Sequence, residues 1–151
     1  MRDQAAAGAT WAGALVDLAE SGAHVSLAVG TARMAGRLEA VGRGFCVLGQ
    51  AGSRPVLIAQ EAISAVWPET AGNVPPSGSR IPALDLSFGA ALSMLAEERS
   101  AVRLTVEGGH QVSGDLIGAG EDVLTVRAGS GEGQARSVLV ALEMLLYCEL
   151  R

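Results

Sequence analysis

Apolar and polar positions alternate along this chain in a way that predicts two short helices and many short strands. A helical spacing relates Trp11, Ala14, Leu15 and Leu18. Thr10, directly before them, is a suitable N-cap because its hydroxyl can accept from a first-turn amide. Residues 25–29 then alternate as a strand with one buried face does. Further strand-like segments follow, separated by glycine-containing turns.

The whole pattern occurs twice, and this internal repeat is the strongest signal in the sequence. Residues 10–20 align with residues 87–97, so Ser87 is expected to cap the second helix as Thr10 caps the first. Two short insertions are needed later, and both fall in turns, where chains tolerate them. The aligned segments are residues 25–29 with 102–106, Gly36 with Gly114, residues 54–58 with 136–140, and Glu61 with Glu143.

Each copy is predicted to be a helix followed by five strands, the last two joined by a very short turn. Gly36 and Gly114 fall within the second strand of each copy, where an absent side chain permits a sharp bend. Residues 68–82 contain four prolines and predict a linker. The expected fold is therefore mainly β with short helices, as two tandem five-stranded barrels each preceded by a helix. The predicted boundaries are 1–68, a linker 69–83, and 84–151.

Charge argues against a general nucleic-acid binder, because such proteins usually present a basic surface to phosphates. The 151-residue chain has a net charge of −5, with eleven arginines and sixteen acidic residues. Four arginines near predicted turns or strand starts remain candidates for nucleic-acid binding: Arg37, Arg43, Arg54 and Arg136. No stretch has the length of a membrane span, so we expect a cytoplasmic protein and no membrane partner.

The residues that usually carry catalysis or metal binding are sparse and, apart from one repeated glutamate, unmatched between the copies. Cys46 and Cys148 lie in apolar runs and are expected to be buried free thiols. His24 and His110 do not align, and neither has a nearby Cys, Ser or acid arranged with it as a nucleophilic pair. Turn capping explains the repeated Glu61 and Glu143 better than a catalytic carboxylate does. We therefore expect no catalytic residue, no metal ligand, no cofactor and no enzymatic activity.

The order of elements and the strand-two glycine resemble the Sm-like fold of the Sm and LSm proteins and the bacterial host-factor RNA chaperone. The doubled layout further resembles a family of uncharacterised tandem Sm-like proteins of high-GC bacteria. The resemblance covers roughly residues 10–67 and 87–151 and implies a ring-forming barrel. The RNA-contacting motifs of Sm proteins do not carry over. Their loop Asp and Asn correspond here to Gly42 and Cys46, and to Gly120 and Leu124; their Arg-Gly pair corresponds to Ala59-Gln60 and Ala141-Leu142.

These observations favour a non-enzymatic assembly or protein-interaction module. In Sm-like rings strand four of one subunit pairs with strand five of the next, so we expect self-association or a protein partner at the strand edges 56–67 and 138–150. The alternatives are RNA binding by the loops of a pseudo-symmetric ring, which the missing motifs disfavour, and a small-ligand sensor. The sequence names no partner.

Overall fold

The protein is described by a computed structural model that covers residues 8–69, 83–129 and 135–151. Within these ranges it is mainly β, as the sequence predicts, with two short α-helices and one large antiparallel sheet. The predicted linker 69–83 lies outside the described residues apart from its two ends, Glu69 and Ala83. Most of the glycine-rich segment 129–133, where the second insertion of the repeat falls, lies outside them too.

The first half, residues 8–69, is a helix and five strands. Thr10 caps helix α1 (Trp11–Ser21) as predicted, because its Oγ1 accepts from the Gly13 amide at 3.0 Å. Gly22 ends the helix at φ 68°, in the left-handed region that glycine adopts at little cost. The strands are β1 His24–Val29, β2 Ala32–Arg43, β3 Phe45–Gly49, β4 Val56–Ala59 and β5 Ile63–Pro68. A 3₁₀ turn, Gln60–Ala62, joins β4 to β5.

The second half repeats this order after an additional strand. Strand β6 (Ala83–Ser87) pairs with β2 in parallel and was not predicted, because it is short and lies between the predicted linker and the second helix. Ser87 caps helix α2 (Phe88–Glu97), its Oγ accepting from the Ala90 amide at 3.1 Å, as predicted. The remaining strands are β7 Ala101–Val106, β8 Gln111–Ala119, β9 Val123–Ala128, β10 Arg136–Ala141 and β11 Leu145–Leu150. A second 3₁₀ turn, Leu142–Met144, joins β10 to β11.

The two halves have the same strand order and are joined edge to edge. Along the sheet the order is β10-β9-β8-β7-β11-β4-β3-β2-β1-β5, with β6 off this path. If the strands of each half are numbered one to five in chain order, each half has the spatial order four, three, two, one, five. The fifth strand of the second half, β11, pairs antiparallel with the fourth strand of the first half, β4. The helices also occupy equivalent places, since α1 packs on β2 and α2 on β8.

The repeat extends to backbone detail. A Cβ on Gly36 would collide with the carbonyl of Gly49, and a Cβ on Gly114 would collide with the carbonyl of Arg127. Both glycines therefore admit the close approach of the neighbouring strand. The second and third strands also shift register at matching places, after Leu38 in the first half and after Leu116 in the second. The two glycines therefore share a close contact with the third strand, whereas the sharp bend predicted at them stays a prediction.

The apolar core has two clusters that each cross the boundary between the halves. One contains the buried core of α1 and β1–β5 and extends to Tyr147 of β11. The other contains the core of α2 and β7–β11 and extends to Phe45 and Leu57 of the first half. Because each cluster includes residues of the opposite half, the contact between β4 and β11 is part of the core rather than a surface contact.

Candidate functional site at the sheet edges and the junction

The junction between the halves is a short antiparallel pairing of two apolar strands. Ile58, Leu57 and Val56 of β4 lie opposite Tyr147, Cys148 and Glu149 of β11. Five of these six residues are buried, and only Glu149 is partly exposed. This pairing shows how strands four and five of neighbouring copies fit together, since it occurs within one chain.

A second contact reinforces the junction on the helix side. Phe88, the first residue of α2, stacks on Phe45, the first residue of β3, with ring centroids 5.4 Å apart and planes 9° from parallel. Both rings are buried. Stacked aromatic pairs contribute beyond their buried area, so the helix of the second half is fixed to the sheet of the first.

The sheet ends in two edge strands, β10 and β5. They are the repeat equivalents of β4 and β11, which pair at the junction. Among the described strands, β10 pairs only with β9, and β5 pairs only with β1. Leu57 of β4 is 7% exposed beneath β11, whereas Leu139, at the same repeat position in β10, is 70% exposed. Exposed apolar edges favour pairing with another chain. The difference in exposure at one repeat position marks β10 as an edge that lacks its neighbour.

The helix contact has the same asymmetry. Phe88 is 9% exposed at the inner junction, whereas Trp11, its repeat equivalent, is 42% exposed. Its stacking partner Phe45 is buried, whereas the equivalent Val123 of β9 is exposed. The contact between Phe88 and Phe45 thus forms once within the chain. The equivalent residues, Trp11 and Val123, are both exposed.

The other open edge, β5, carries an exposed aromatic residue with a cation above it. The guanidinium carbon of Arg33 lies 3.6 Å from the ring centroid of Trp67, and the Nε of Arg33 donates to Ser26 Oγ at 2.9 Å. Arginine over an indole ring is a favourable cation–π geometry. Trp67 corresponds to Glu149 of β11, so the edge residue differs in chemistry at the two junctions.

The four candidate arginines do not all have the same environment. Arg43 forms an ion pair with Asp85 of β6, which partly neutralises it. Arg37 lies in β2 opposite Gly49, and its buried Nε has no hydrogen-bond partner among the described residues. Arg136 is the exposed first residue of the open edge strand β10. These environments do not test nucleic-acid binding, so the arginines remain candidates.

Arg54 lies at a basic cleft on the junction, together with two arginines that sequence reasoning missed. A cavity of about 300 Å³ is lined by Arg54 of the first half and by Arg103 and Arg151 of the second. Glu149 also lines it, but none of the three arginines forms an ion pair with a described residue. The pairing of β7 with β11 brings Arg103 opposite Glu149. Arg54 lies beside them because β4 pairs with β11, and the sequence does not predict that pairing within the chain.

A larger cavity, of about 540 Å³, is lined by residues of both halves at the junction. The β1–β2 turn and first 3₁₀ turn form its wall in the first half, and the β7–β8 turn, the second 3₁₀ turn and β11 form its wall in the second. Its acidic residues are Glu61, Glu107 and Glu143. The turn-capping role predicted for Glu61 and Glu143 is wrong, because neither 3₁₀ turn has a side-chain cap hydrogen bond.

The sulfur and imidazole groups lie where the sequence places them. Cys46 and Cys148 are free and buried, as predicted. Burial raises the pKa of the Cys46 thiol to about 12, and burial together with the nearby Glu149 charge raises that of Cys148 to about 12. His24 and His110 are exposed, one in β1 and one before β8. In residues 8–69, 83–129 and 135–151, no three His, Cys, Asp or Glu side chains are grouped to hold a metal ion.

In the part of the chain that the structure describes, neither helix is long and apolar enough to cross a membrane. No protein-family model matches the chain, and neither a curated protein nor a solved structure matches it. The two open edges, the junction and its cavities are therefore the features that bear on function.

Proposed function

We propose that the protein is a tandem Sm-like assembly module that closes into a ring of identical chains through its open edges, and that it performs no catalysis. The observation that carries this proposal is the pair Leu57 and Leu139. They occupy one position of the repeat, yet one is covered by a strand and the other is bare. A chain that already forms this interface once has the surfaces needed to form it again with a neighbour.

The two open surfaces are complementary because they are copies of the two surfaces already joined. β10 is the equivalent of β4, and β5 is the equivalent of β11. A head-to-tail contact of this kind leaves one free β5 edge and one free β10 edge on every assembly. Such assemblies end only when the last chain meets the first, so a closed ring removes all exposed edges.

The inner junction also fixes the register of the outer one. Because Cys148 lies opposite Leu57, their repeat equivalents Val66 and Leu139 should lie opposite each other between chains. By the same argument Trp67 of one chain should lie opposite Val138 of the next. The exposed Trp11 of one chain would then cover the exposed Val123 of the other, as Phe88 covers Phe45.

Mass measurement on single-residue variants tests the assembly. We expect the wild-type chain to have a mass several times that of one chain in native mass spectrometry and light scattering at micromolar concentration. Leu139→Arg places a charge on the bare edge and should yield single chains. Met94→Arg adds the same charge at an exposed position of α2 and should leave the assembly intact. A wild-type chain that stays single at the highest soluble concentration would overturn the proposal.

Cross-linking tests the register itself. Opposed residues of antiparallel strands lie within the Cα separation that a disulfide spans. The double variant Val66→Cys with Leu139→Cys should therefore form covalent multimers on mild oxidation. Val66→Cys with Ser137→Cys, two residues out of register and on the same strand, is the matched control and should link far less. Equal linking of both variants would indicate random collision rather than the expected pairing.

Single-stranded nucleic-acid binding is a second candidate, supported by the arginine cleft at the junction. Arg54, Arg103 and Arg151 converge without an ion-pair partner among the described residues, and such a group can hold a phosphate. Fluorescence anisotropy with a labelled uridine-rich RNA at low salt tests it. Arg54→Gln with Arg103→Gln should abolish binding, while Arg99→Gln, at an exposed position just after α2, should not. Absence of binding by the wild-type chain at low salt would eliminate this candidate.

A further inference from the structure

Arg151, which follows β11, and Glu69, which follows β5, occupy the same place in the two halves. The amide of Arg151 donates to the Ala101 carbonyl at 2.9 Å, and the amide of Glu69 donates to the His24 carbonyl at 2.9 Å. Ala101 and His24 are themselves equivalent, as the first residues of β7 and β1. Each residue therefore extends the fifth strand of its half along the first strand in the same way, although the two side chains have opposite charges.

At the junction within the chain, the register of β4 and β11 brings two arginines together. Val56 lies opposite Glu149, and continuing that register by two residues opposes Arg54 to Arg151. Both arginines are exposed and line the cleft of about 300 Å³, and neither forms an ion pair with a described residue. Like charges on opposed strand positions are destabilising. This end of the inner junction forms in spite of its charges, because the chain itself holds the two strands at high effective concentration.

The same register gives opposite charges at a junction between two chains. When β5 of one chain pairs with β10 of the next as β11 pairs with β4, Glu69 lies opposite Arg136. Both side chains are exposed, and neither forms an ion pair with a described residue of its own chain. Opposite charges at opposed strand positions stabilise an antiparallel pair. The contact that must form between separate chains thus has the complementary charges that the inner contact lacks.

The third arginine of the inner cleft is also replaced at the outer edge. Arg103 of β7 corresponds to Ser26 of β1, whose hydroxyl accepts from the Nε of Arg33 at 2.9 Å. Arg33 forms no ion pair with Glu69. The carboxylate of Glu69 therefore stays available to Arg136 of a neighbouring chain. The two junctions share apolar strands but differ in the charges at this end.

We propose that Glu69 of one chain pairs with Arg136 of a second copy of the chain, and that this ion pair is a specificity determinant of the contact between β5 and β10. The inference rests on the assembly function proposed above and adds which charges join the two copies. In the ring an ion pair then marks every junction between chains. The arginine cleft recurs once per chain, at the inner junctions alone.

Charge reversal tests the pair, with assembly followed by sedimentation velocity over a concentration series at low ionic strength. Glu69→Arg opposes two arginines at the outer junction, as at the inner one. It should raise the dissociation constant of the contact between chains about tenfold, because attraction is replaced by repulsion of similar size. Arg136→Glu should have the same effect. The double variant Glu69→Arg with Arg136→Glu exchanges the two charges and should assemble as readily as the wild-type chain.

A matched control separates this pair from a general effect of net charge. Glu97→Arg makes the same charge change at the exposed last residue of α2 and should leave assembly unchanged. Circular dichroism verifies that every variant is folded. If the wild-type chain assembles but the double variant is no better than the single ones, or Glu97→Arg has an equal effect, the ion pair is overturned and the assembly function stands. A wild-type chain that stays single overturns both.

Discussion

Phe88 and Phe45 stack across the boundary between the two halves, with ring centroids 5.4 Å apart. Phe88 starts the helix of the second half and Phe45 starts the third strand of the first. Both are buried, so this pair ties the helix of one repeat to the sheet of the other. Stability of the whole chain should therefore depend on a contact between the halves.

Phe88→Ala should lower the free energy of unfolding by about 3 kcal/mol or more, because it removes a buried ring and leaves a cavity at the junction. Urea unfolding followed by circular dichroism measures the change. Met94→Ala on the exposed face of the same helix is the control and should change stability by about 0.5 kcal/mol or less. Equal effects of the two substitutions would show that the stacked pair contributes no more than a surface side chain.

The second-strand glycines give a prediction about backbone approach. Gly114→Ala should destabilise the chain by about 2 kcal/mol or more, because the new Cβ would collide with the carbonyl of Arg127. Gly118→Ala, on the same strand, would place its Cβ 3.6 Å from Thr125, an ordinary contact, and should be close to neutral. Melting temperatures of the two variants provide the comparison. A neutral Gly114→Ala would show that the strands can separate there without cost.

The sequence predicted the local elements because each has a local chemical cause. Thr10 and Ser87 cap helices through their own hydroxyls, and Gly36 and Gly114 recur where the neighbouring strand leaves no room for a Cβ. Such features depend on residues a few positions apart or on a repeat that can be read directly. They can be recognised before any tertiary contact is known.

The functional features that were missed all depend on pairing between the halves. Arg103 and Arg151 join Arg54 only because β11 lies between β7 and β4. Glu61 and Glu143 align in the repeat, but their meeting at one cavity follows from the same pairing. The sequence signal was the repetition of the glutamate itself, which turn capping alone could explain.

Gln60 offers a test of a buried polar contact in the first half. Its side-chain Nε2 donates to the carbonyls of Gly42 and Phe45, both at 2.9 Å, and so holds the β2–β3 turn against the first 3₁₀ turn. Gln60→Leu installs the residue found at the equivalent position, Leu142. It should cost about 1–3 kcal/mol, because two carbonyls lose their donor in a buried site.

Hydrogen exchange should locate the effect of Gln60→Leu at the β2–β3 turn, and urea unfolding gives its size. The matched control is Gln111→Leu, because Gln111 is exposed and its side-chain hydrogen bond to Thr105 is long at 3.4 Å. That variant should change stability by about 0.5 kcal/mol or less. A Gln60→Leu chain with unaltered exchange at the turn would contradict the structural role of the amide.

The two buried thiols make stability depend on alkaline pH. Burial raises the pKa of Cys46 from its ordinary value of 9.0 to about 12, and that of Cys148 from 9.0 to about 12. The folded chain therefore keeps both protons in a range where the unfolded chain releases them. Their contribution to stability is complete below about pH 9 and is lost progressively as the pH rises from there toward 12.

Urea unfolding of the wild-type chain across this alkaline range should show the decline, and the double variant Cys46→Ala with Cys148→Ala should show a shallower one. The variant will start from lower stability because two buried side chains are shortened, so the slope against pH is the quantity to compare. In addition, the native thiols should resist a disulfide reagent at pH 8 and react only after denaturant is added. Parallel slopes, or rapid reaction of the native protein, would show that the thiols are accessible and that burial does not control their ionisation.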